Sequence, residues 1–472
     1  MNETPKTATT RREFLKTTGQ FAAASALAGV AIPHVHAQGS DTIQVALVGC
    51  GGRGSGAAKN ALSTSKGPVK LVAMADVFEH RMTGSFNALQ RDESISGKID
   101  VPTERKFIGF DAYKAAMDCL KPGDVAIFTT PPAFRWVHFT YAIEKGLNVF
   151  MEKPVTVDGP TSRRMLDLAK KASEKNLKVG VGLMSRHSRD LQQLHKRVED
   201  GEIGDIVLMR GYRMQGIIGS AMSTKWPGEP SELLWQISRF HSFLWASGGC
   251  FSDFYIHHID HLCWMKNAWP VKAQAVGGRH YKTNAEGQPW VDQNFDSYAV
   301  EYIFEDGARF LMDGRCMVGA APIYNSWIHG TKGSAVAARN GDMGRPSSIH
   351  TGQDPEDREK EVWRSEVPPD ERDPYLNEWN DLMDAIRNDK PYNEVPYGVQ
   401  ASLVTSMGRL AAHSAQIITY DQMLNHEHEF APGVDKLTMD SPAPLRANAE
   451  GRYPIPMPGK VRDREYSEEF TA

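Results

Sequence analysis

Residues 43–54 read Ile-Gln-Val-Ala-Leu-Val-Gly-Cys-Gly-Gly-Arg-Gly, and the fold follows from this stretch. Ile43 to Val48 is a short apolar run rich in β-branched residues, the composition of a strand buried on both faces. Gly49, Gly51 and Gly54 then form a G-x-G-x-x-G that leads into a helix-compatible stretch beginning at Ala57-Ala58. Such a loop makes a tight turn, lets the backbone approach a diphosphate closely, and rests that anion on a helix N-terminus. Asp76 ends the next apolar run, 22 residues beyond Gly54, where a carboxylate binds the ribose hydroxyls of an adenosine. The candidate cofactor residues here are therefore Gly49, Gly51, Gly52, Arg53, Gly54 and Asp76. A carboxylate at Asp76 repels a 2′-phosphate and favours NAD. Arg53 and Arg81 offset part of that repulsion and keep NADP open.

Further apolar runs lie outward from this core. Asp124 to Thr129 ends in Thr-Thr-Pro-Pro, and Leu147 to Met151 ends in Glu152-Lys153-Pro154. Helix-compatible segments near 111–120 and 137–145 separate them, and this alternation builds βαβ units and a parallel sheet. Beyond Pro154 the texture changes. A helix near 160–175 leads to a strand at Lys178–Leu183, followed by a helix over about 189–200. Strand-like runs at Ile206–Tyr212, Val271–Val276, Ser297–Phe304 and Ala308–Met312 indicate a mixed or antiparallel sheet in a second domain. Two amphipathic helices are expected near 375–388 and 398–417. The tail from about 430 carries Pro442, Pro444, Pro454, Pro456 and Pro458 and is expected to be an extended arm rather than a packed element. The expected architecture is α/β: a Rossmann dinucleotide-binding domain over 38–155, a C-terminal α/β domain over 156–429, and the tail over 430–472.

Composition removes several function classes. Of 472 residues 41% are hydrophobic and 24% charged, which argues against wholesale disorder and a multi-pass membrane protein. With 54 basic against 58 acidic residues, net −4, the chain has no global field for nucleic acid or an anionic membrane. Five widely spaced cysteines, none in a CxxC pair, make neither a disulfide framework nor a structural zinc site. The N-terminus reads as an address: Arg11-Arg12 precede Phe14-Leu15-Lys16, an apolar stretch runs from Phe21 to Ile32, and Val35-His36-Ala37 suits signal-peptidase cleavage. The apolar stretch is shorter than the roughly 20 residues a membrane-spanning helix needs. Residues 1–37 are thus expected to be a twin-arginine (Tat) signal that directs the folded chain to the periplasm or another extracytoplasmic space.

Two further motifs carry chemistry. Lys153 follows a strand at the carboxyl edge of the parallel sheet, where open α/β sheets bind ligands, and Pro154 holds its backbone extended. An ammonium there can polarise a substrate hydroxyl; a lysine that only keeps the strand end soluble is the plainer alternative. The densest cluster of titratable groups runs from Gly248 to His261 and includes Asp253, His257, His258, Asp260 and His261. Asp253 and His257 stand four apart, so a carboxylate can orient an imidazole that acts as general base. His257 with His261 also has metal-ligand spacing, with Asp253 or His241 as further ligands, and a purely structural helix is the third alternative. The absence of a His-Glu-x-x-His motif counts against metal, and no metal is assigned.

Taken together, Gly49 to Gly54, Asp76, Phe110-Asp111-Ala112-Tyr113, Thr130-Pro131-Pro132, Glu152-Lys153-Pro154, and Gly248-Gly249 followed by Asp253, His257 and Asp260 resemble the Gfo/Idh/MocA family of nicotinamide-dependent oxidoreductases, including its glucose–fructose oxidoreductase-like branch. The resemblance covers about residues 42–420. It implies a Rossmann domain joined to an α/β domain whose large, open, mainly antiparallel sheet makes a homo-oligomer interface. It also implies that Lys153, Asp253 and His257 are catalytic, and that Thr130, Pro131, Glu152 and Lys153 join the cofactor site. Two departures stand out: Arg135 where the family often has His, with His138 displaced by three, and Tyr255 where Gly is common, which implies a bulkier pocket wall. Arg186, Arg239, His241 and Trp245 are within plausible reach of the same cleft, and none is assigned as catalytic. The implied activity is hydride transfer between NAD(P) and a secondary hydroxyl or carbonyl of a sugar or polyol. Export would require the dinucleotide to travel bound and to be reset in each cycle. A redox-neutral NAD-dependent glycosidase and a non-catalytic nucleotide-binding protein are the alternatives.

Overall fold

The computed structural model describes residues 41–472, so the expected signal over 1–37 lies outside the described residues. The N-terminal part alternates strand and helix: β1 (Ile43–Val48), α1 (Gly52–Ser63), β2 (Val69–Asp76), α2 (Glu79–Arg91), β3 (Lys106–Ile108), α3 (Ala112–Asp118), β4 (Val125–Phe128), α4 (Arg135–Lys145), β5 (Asn148–Met151), α5 (Gly159–Glu174) and β6 (Val179–Val181). The six strands form one parallel sheet in the order β3-β2-β1-β4-β5-β6. Its central strands are buried along almost their whole length because helices cover both faces. The order reverses between β2-β1 and β4, a topological switch point, so the carboxyl ends of β1 and β4 open the crevice in which such sheets bind ligands.

The strand expected at Lys178–Leu183 is not part of the second domain's sheet. Val149 pairs in parallel with Val179, so α5 is a crossover helix and the run is the sixth strand of the Rossmann sheet.

The remaining chain adds α6 (Arg189–Glu199), β7 (Ile206–Gln215), α7 (Glu232–Ser238), α8 (Leu244–Ser247), α9 (Gly249–Lys266), β8 (Lys272–Gly278), β9 (Ser297–Ile303), β10 (Arg309–Cys316), β11 (Ile323–Gly330), β12 (Ser334–Arg339), β13 (Ser348–His350), β14 (Glu361–Arg364), α10 (Pro374–Arg387), α11 (Val395–Ser414), β15 (Ile418–Thr419) and α12 (Tyr420–Leu424). The nine strands form a second sheet, antiparallel except for the β7–β10 pair. Burial alternates residue by residue along β9 and β10, as it does where helices cover only one face. A Cβ on Gly211 of β7 would lie 3.3 Å from the His258 Cβ of α9, so Gly211 and its alternate neighbours face the helices, while Arg210 and Tyr212 face the open side.

Helix α11 joins the two halves and is buried along almost its whole length. Gly398 lets its first turns lie against Val181 and Val155 of the Rossmann side, and Gly408 fits under the Tyr302 ring of β9. The same helix touches both sheets, and Lys153, just past β5, reaches Asp253 in the first turns of α9.

The tail from 430 has little regular structure, as its prolines dictate, yet it is packed, contrary to the expected free arm. Tyr453 is fully buried and its hydroxyl donates to Glu232 at 2.6 Å. Glu465 inserts into the core, accepting from Arg409 Nε at 2.9 Å and contacting His413 Nδ1 at 2.5 Å. Arg409 also donates to the Gly248 carbonyl and the Ser252 hydroxyl, so the tail helps fix where α9 begins. Among the described residues, no helix is long and apolar enough to cross a membrane.

Candidate active site

A cleft of about 760 Å³ runs along the carboxyl edge of the parallel sheet to the N-terminal turns of α9. Every residue proposed from sequence for cofactor or chemistry lines it: Gly49, Gly51, Gly52, Arg53, Gly54, Asp76, Thr130, Pro131, Glu152, Lys153, Asp253 and His257.

The glycines of the β1–α1 loop play different physical parts. Gly49 has φ +97°, and a Cβ there would lie 2.7 Å from Thr130 N. A Cβ on Gly54 would lie 2.0 Å from the Gly49 carbonyl oxygen, so this glycine lets α1 close onto the strand. A Cβ added at Gly51 or Gly52 would meet nothing within 4 Å. Their bareness serves no packing purpose and leaves open space at the N-terminus of α1, the arrangement that receives a diphosphate. Asp76 ends β2 and accepts from Cys50 N at 2.6 Å and Phe78 N at 2.8 Å, which tie its carboxylate to the loop. Burial raises its pKa, against the lowering effect of those bonds. The set fits a dinucleotide: a bare loop on a helix start, with a carboxylate one strand away.

Arg53 donates to Glu152 Oε1 from both Nε (2.9 Å) and Nη2 (2.5 Å), and its guanidinium lies 4.5 Å from the centre of the Tyr375 ring. Tyr375 comes from α10, far along the chain, and no local pattern marks it as a cleft residue. Behind this pair Glu378 is buried with neither carboxyl oxygen hydrogen-bonded, and burial together with the nearby Glu152 charge holds its pKa well above the ordinary value.

At the other end, Lys153 Nζ donates to the Asp253 carbonyl at 2.6 Å and lies 3.6 Å from its Oδ1. The opposite oxygen, Asp253 Oδ2, lies 3.2 Å from His241 Nε2. His241 Nδ1 accepts from Ser220 N at 3.3 Å, which leaves the ring proton on Nε2, directed at the carboxylate. His241 is flanked by Phe240 and Phe254, ring centres 3.8 and 4.9 Å away. Burial pushes the Asp253 carboxyl up, but the Lys153 charge and the His241 N–H outweigh it and the net shift is downward. The expected Asp253–His257 couple is therefore replaced by a Lys153–Asp253–His241 chain. Sequence reading named His241 as a residue in reach of the cleft and as a possible metal ligand, not as the partner of Asp253.

His257 lines the same cleft without a carboxylate partner. Its Nδ1 is buried and unbonded, and burial, reinforced by the Lys153 and Arg213 charges, holds its pKa well below the ordinary value. It is a neutral imidazole at physiological pH, able to accept a proton. The metal alternative finds no support in the geometry: His261 Nε2 is engaged with the Ser326 hydroxyl at 2.7 Å, and Asp260 pairs with Arg186 at 2.8 Å.

Arg135 is buried, donating to the carbonyls of Phe128 (2.9 Å) and Thr130 (3.1 Å), so it braces the Thr-Pro-Pro turn. Burial brings its pKa down to about 10, which leaves it charged. Burial and then the Arg135 charge push His138 down to about 3, and its Nδ1 lies 3.3 Å from the Thr130 hydroxyl. Tyr255 does not wall the pocket: it is fully buried and its ring covers Gly314 of β10. Arg186 is directed at Asp260, Trp245 is a core residue bonded to Gln236, and Arg239 is not among the cleft residues.

Residues 191–336 match the family model of the GFO/IDH/MocA C-terminal domain. This segment holds α9 with Asp253 and His257. Over this segment the chain is similar to the Gfo/Idh/MocA family. It is 31% identical over 98 residues to an inositol 2-dehydrogenase of Corynebacterium glutamicum, covering 21% of this chain and 28% of that protein. It is 28% identical over 274 residues to the scyllo-inositol 2-dehydrogenase (NAD(+)) of Bacillus subtilis, covering 56% of this chain and 65% of that one. The aligned stretches thus span less than two thirds of these relatives' own length. Scyllo-inositol dehydrogenase from Lactobacillus casei, solved with bound NAD(H) and scyllo-inositol, has the same fold, with a TM-score of 0.58 at 20% identity over 80% of this chain and 99% of that chain.

Proposed function

We propose that the protein is a nicotinamide-dependent oxidoreductase that moves hydride between NAD and a secondary hydroxyl of a sugar or polyol. The observation that carries this is the single cleft that joins a bare glycine loop, at one end, to Lys153, Asp253 and the unpaired neutral His257 at the other. The relatives' activity toward inositols supports the substrate class. Asp76 favours NAD over NADP by charge. The nicotinamide ring supplies the hydride acceptor when the dinucleotide is bound.

His257 takes the hydroxyl proton, since its imidazole stays unprotonated at neutral pH. Lys153 donates to the hydroxyl oxygen and stabilises negative charge as that proton leaves. Asp253 holds the ammonium in place, and His241 fixes the carboxylate through Nε2–H. The Arg11-Arg12 segment supports export of the folded chain with its nucleotide tightly held. The open face of the nine-stranded sheet, where Arg210 and Trp327 pack against Tyr212, supports self-association.

The test is NAD reduction with a panel of inositols and aldoses, on wild type and Lys153→Met. Wild type reduces NAD. The variant loses about 10²- to 10⁴-fold in kcat, the usual size of a positioned proton-handling group, while NADH still binds. Undiminished turnover in Lys153→Met would overturn the mechanism.

A further inference from the structure

The Rossmann half is tied to the second half at both ends of the cleft. At the reactive end Lys153 Nζ donates to the Asp253 carbonyl of α9 at 2.6 Å. At the far end Arg81, in the first turn of α2 just past Asp76, donates from Nη2 to the Ser238 carbonyl at 3.3 Å. Ser238 is the last residue of α7, so its carbonyl has no partner within the helix and sits at the negative end of the helix dipole. A guanidinium is favoured there.

Both anchors of the Arg81 tie are fixed. On its own side the guanidinium lies 4.8 Å from the centre of the Phe78 ring, and Phe78 N donates to the Asp76 carboxylate at 2.8 Å. On the other side Gln236 donates to the Leu445 carbonyl at 2.6 Å and accepts from the Trp245 indole at 2.7 Å, which pins α7 to the tail and to α8. Arg81 lines the cleft together with Asp76 and Phe78 from the Rossmann half and Ile237 and Phe240 from the second. Strand order places the ties on opposite sides of the glycine loop: β2 carries Asp76 and β5 leads to Lys153, with β1 and β4 between them. A dinucleotide that spans Asp76 and Lys153 therefore has a tie between the halves beside each of its ends.

We propose that Arg81 is a strap across the adenosine end of the cleft and sets how fast the dinucleotide enters and leaves. The inference rests on the nucleotide reading of the cleft. The effect is on rates rather than on affinity. The strap joins protein to protein, so parting it is part of the barrier in both directions and adds little to the difference between free and bound states. A residue that only touches bound nucleotide behaves otherwise, because its loss speeds release and leaves association unchanged.

The experiment is stopped-flow fluorescence on the full chain, following NADH association and its displacement by excess NAD in wild type, Arg81→Met and Arg81→Lys, with NADPH as a second probe. Arg81→Met speeds association and release alike by about 3- to 30-fold, the scale of one partly exposed hydrogen bond from a charged donor, and the NADH Kd stays within about 3-fold. Arg81→Lys, which keeps a cation at the end of α7, falls between. Unchanged rates in Arg81→Met would overturn the proposal. So would faster release without faster association, or a loss of NADPH affinity well beyond that of NADH, since Arg81 would then be a ligand of the nucleotide or of its 2′-phosphate. The two readings fail separately. A wild type that binds neither probe removes the nucleotide reading and the strap with it, whereas NADH binding at rates indifferent to Arg81 removes the strap alone.

Discussion

Gly51→Ala separates the structural from the ligand-binding use of the glycine loop. Gly51 is the residue preceding α1, with φ −74° and ψ −173°, a conformation that alanine adopts without strain. No protein atom lies within 4 Å of the added methyl, so the folded state incurs no packing penalty. Reduced unfolded-chain entropy contributes about 0.4–1 kcal/mol of stabilisation, and a poorer helix N-cap costs a similar amount. Net stability of the nucleotide-free protein should therefore change by less than about 1 kcal/mol. Binding is another matter, because the methyl occupies the space through which a diphosphate reaches the N–H groups at the start of α1. Losing one charge-assisted hydrogen bond costs about 1.5–3 kcal/mol, or roughly 10- to 100-fold in affinity. Gly54→Ala is the contrasting case. Its methyl would lie 2.0 Å from a backbone oxygen, and no side-chain rotation relieves that, so the loss falls on stability, about 1–3 kcal/mol or more. The assay is thermal unfolding without nucleotide, paired with NADH titration by fluorescence. Wild-type NADH affinity in Gly51→Ala would refute the assignment of this loop as the diphosphate cradle.

Two further outcomes follow from the charges. His241→Asn removes the N–H that faces Asp253, so the carboxyl pKa rises and the acid limb of the kcat profile moves to higher pH, with kcat down by roughly 10-fold and the KM for NAD unchanged; a pH profile that keeps its shape would reduce His241 to a packing residue. Glu465 is buried, which raises its pKa, but Arg409 and then His413 outweigh burial and bring it down to about 2, below an unfolded value of about 4.3. Its contribution is thus complete above about pH 4.3 and is lost as pH falls toward 2. Glu465→Gln should abolish that part of the acid transition, seen by circular dichroism, while costing about 3–5 kcal/mol at neutral pH because Arg409 is left unpaired.

Much of the N-terminal half is legible along the chain. A β-branched run, a glycine loop and a carboxylate one strand later are local facts, and a parallel sheet with its crevice at the switch point follows from them. Periodicity also located Lys153 at a strand end and Asp253 with His257 on one helix. Helix geometry alone would have placed Tyr255 correctly: two residues from Asp253 is about 200° around the axis, and a residue there faces the core if Asp253 faces the cleft. The packed tail left no such trace, because Tyr453 and Glu465 are isolated anchors in an extended segment that has no period to read.

The sequence by itself determined the Rossmann half, the dinucleotide loop and the types of group available for proton handling, since each is written in contiguous residues with fixed spacing. Only the tertiary structure decided which groups meet. Asp253 turns to His241 and Lys153 rather than to His257, because the 240–243 segment and the β5 end are brought against α9 by chain crossings that spacing does not encode. The same holds for Tyr375 over Arg53. Contacts between residues separated by a hundred positions or more depend on how the two sheets are held against α11, and local propensity carries no information about that packing.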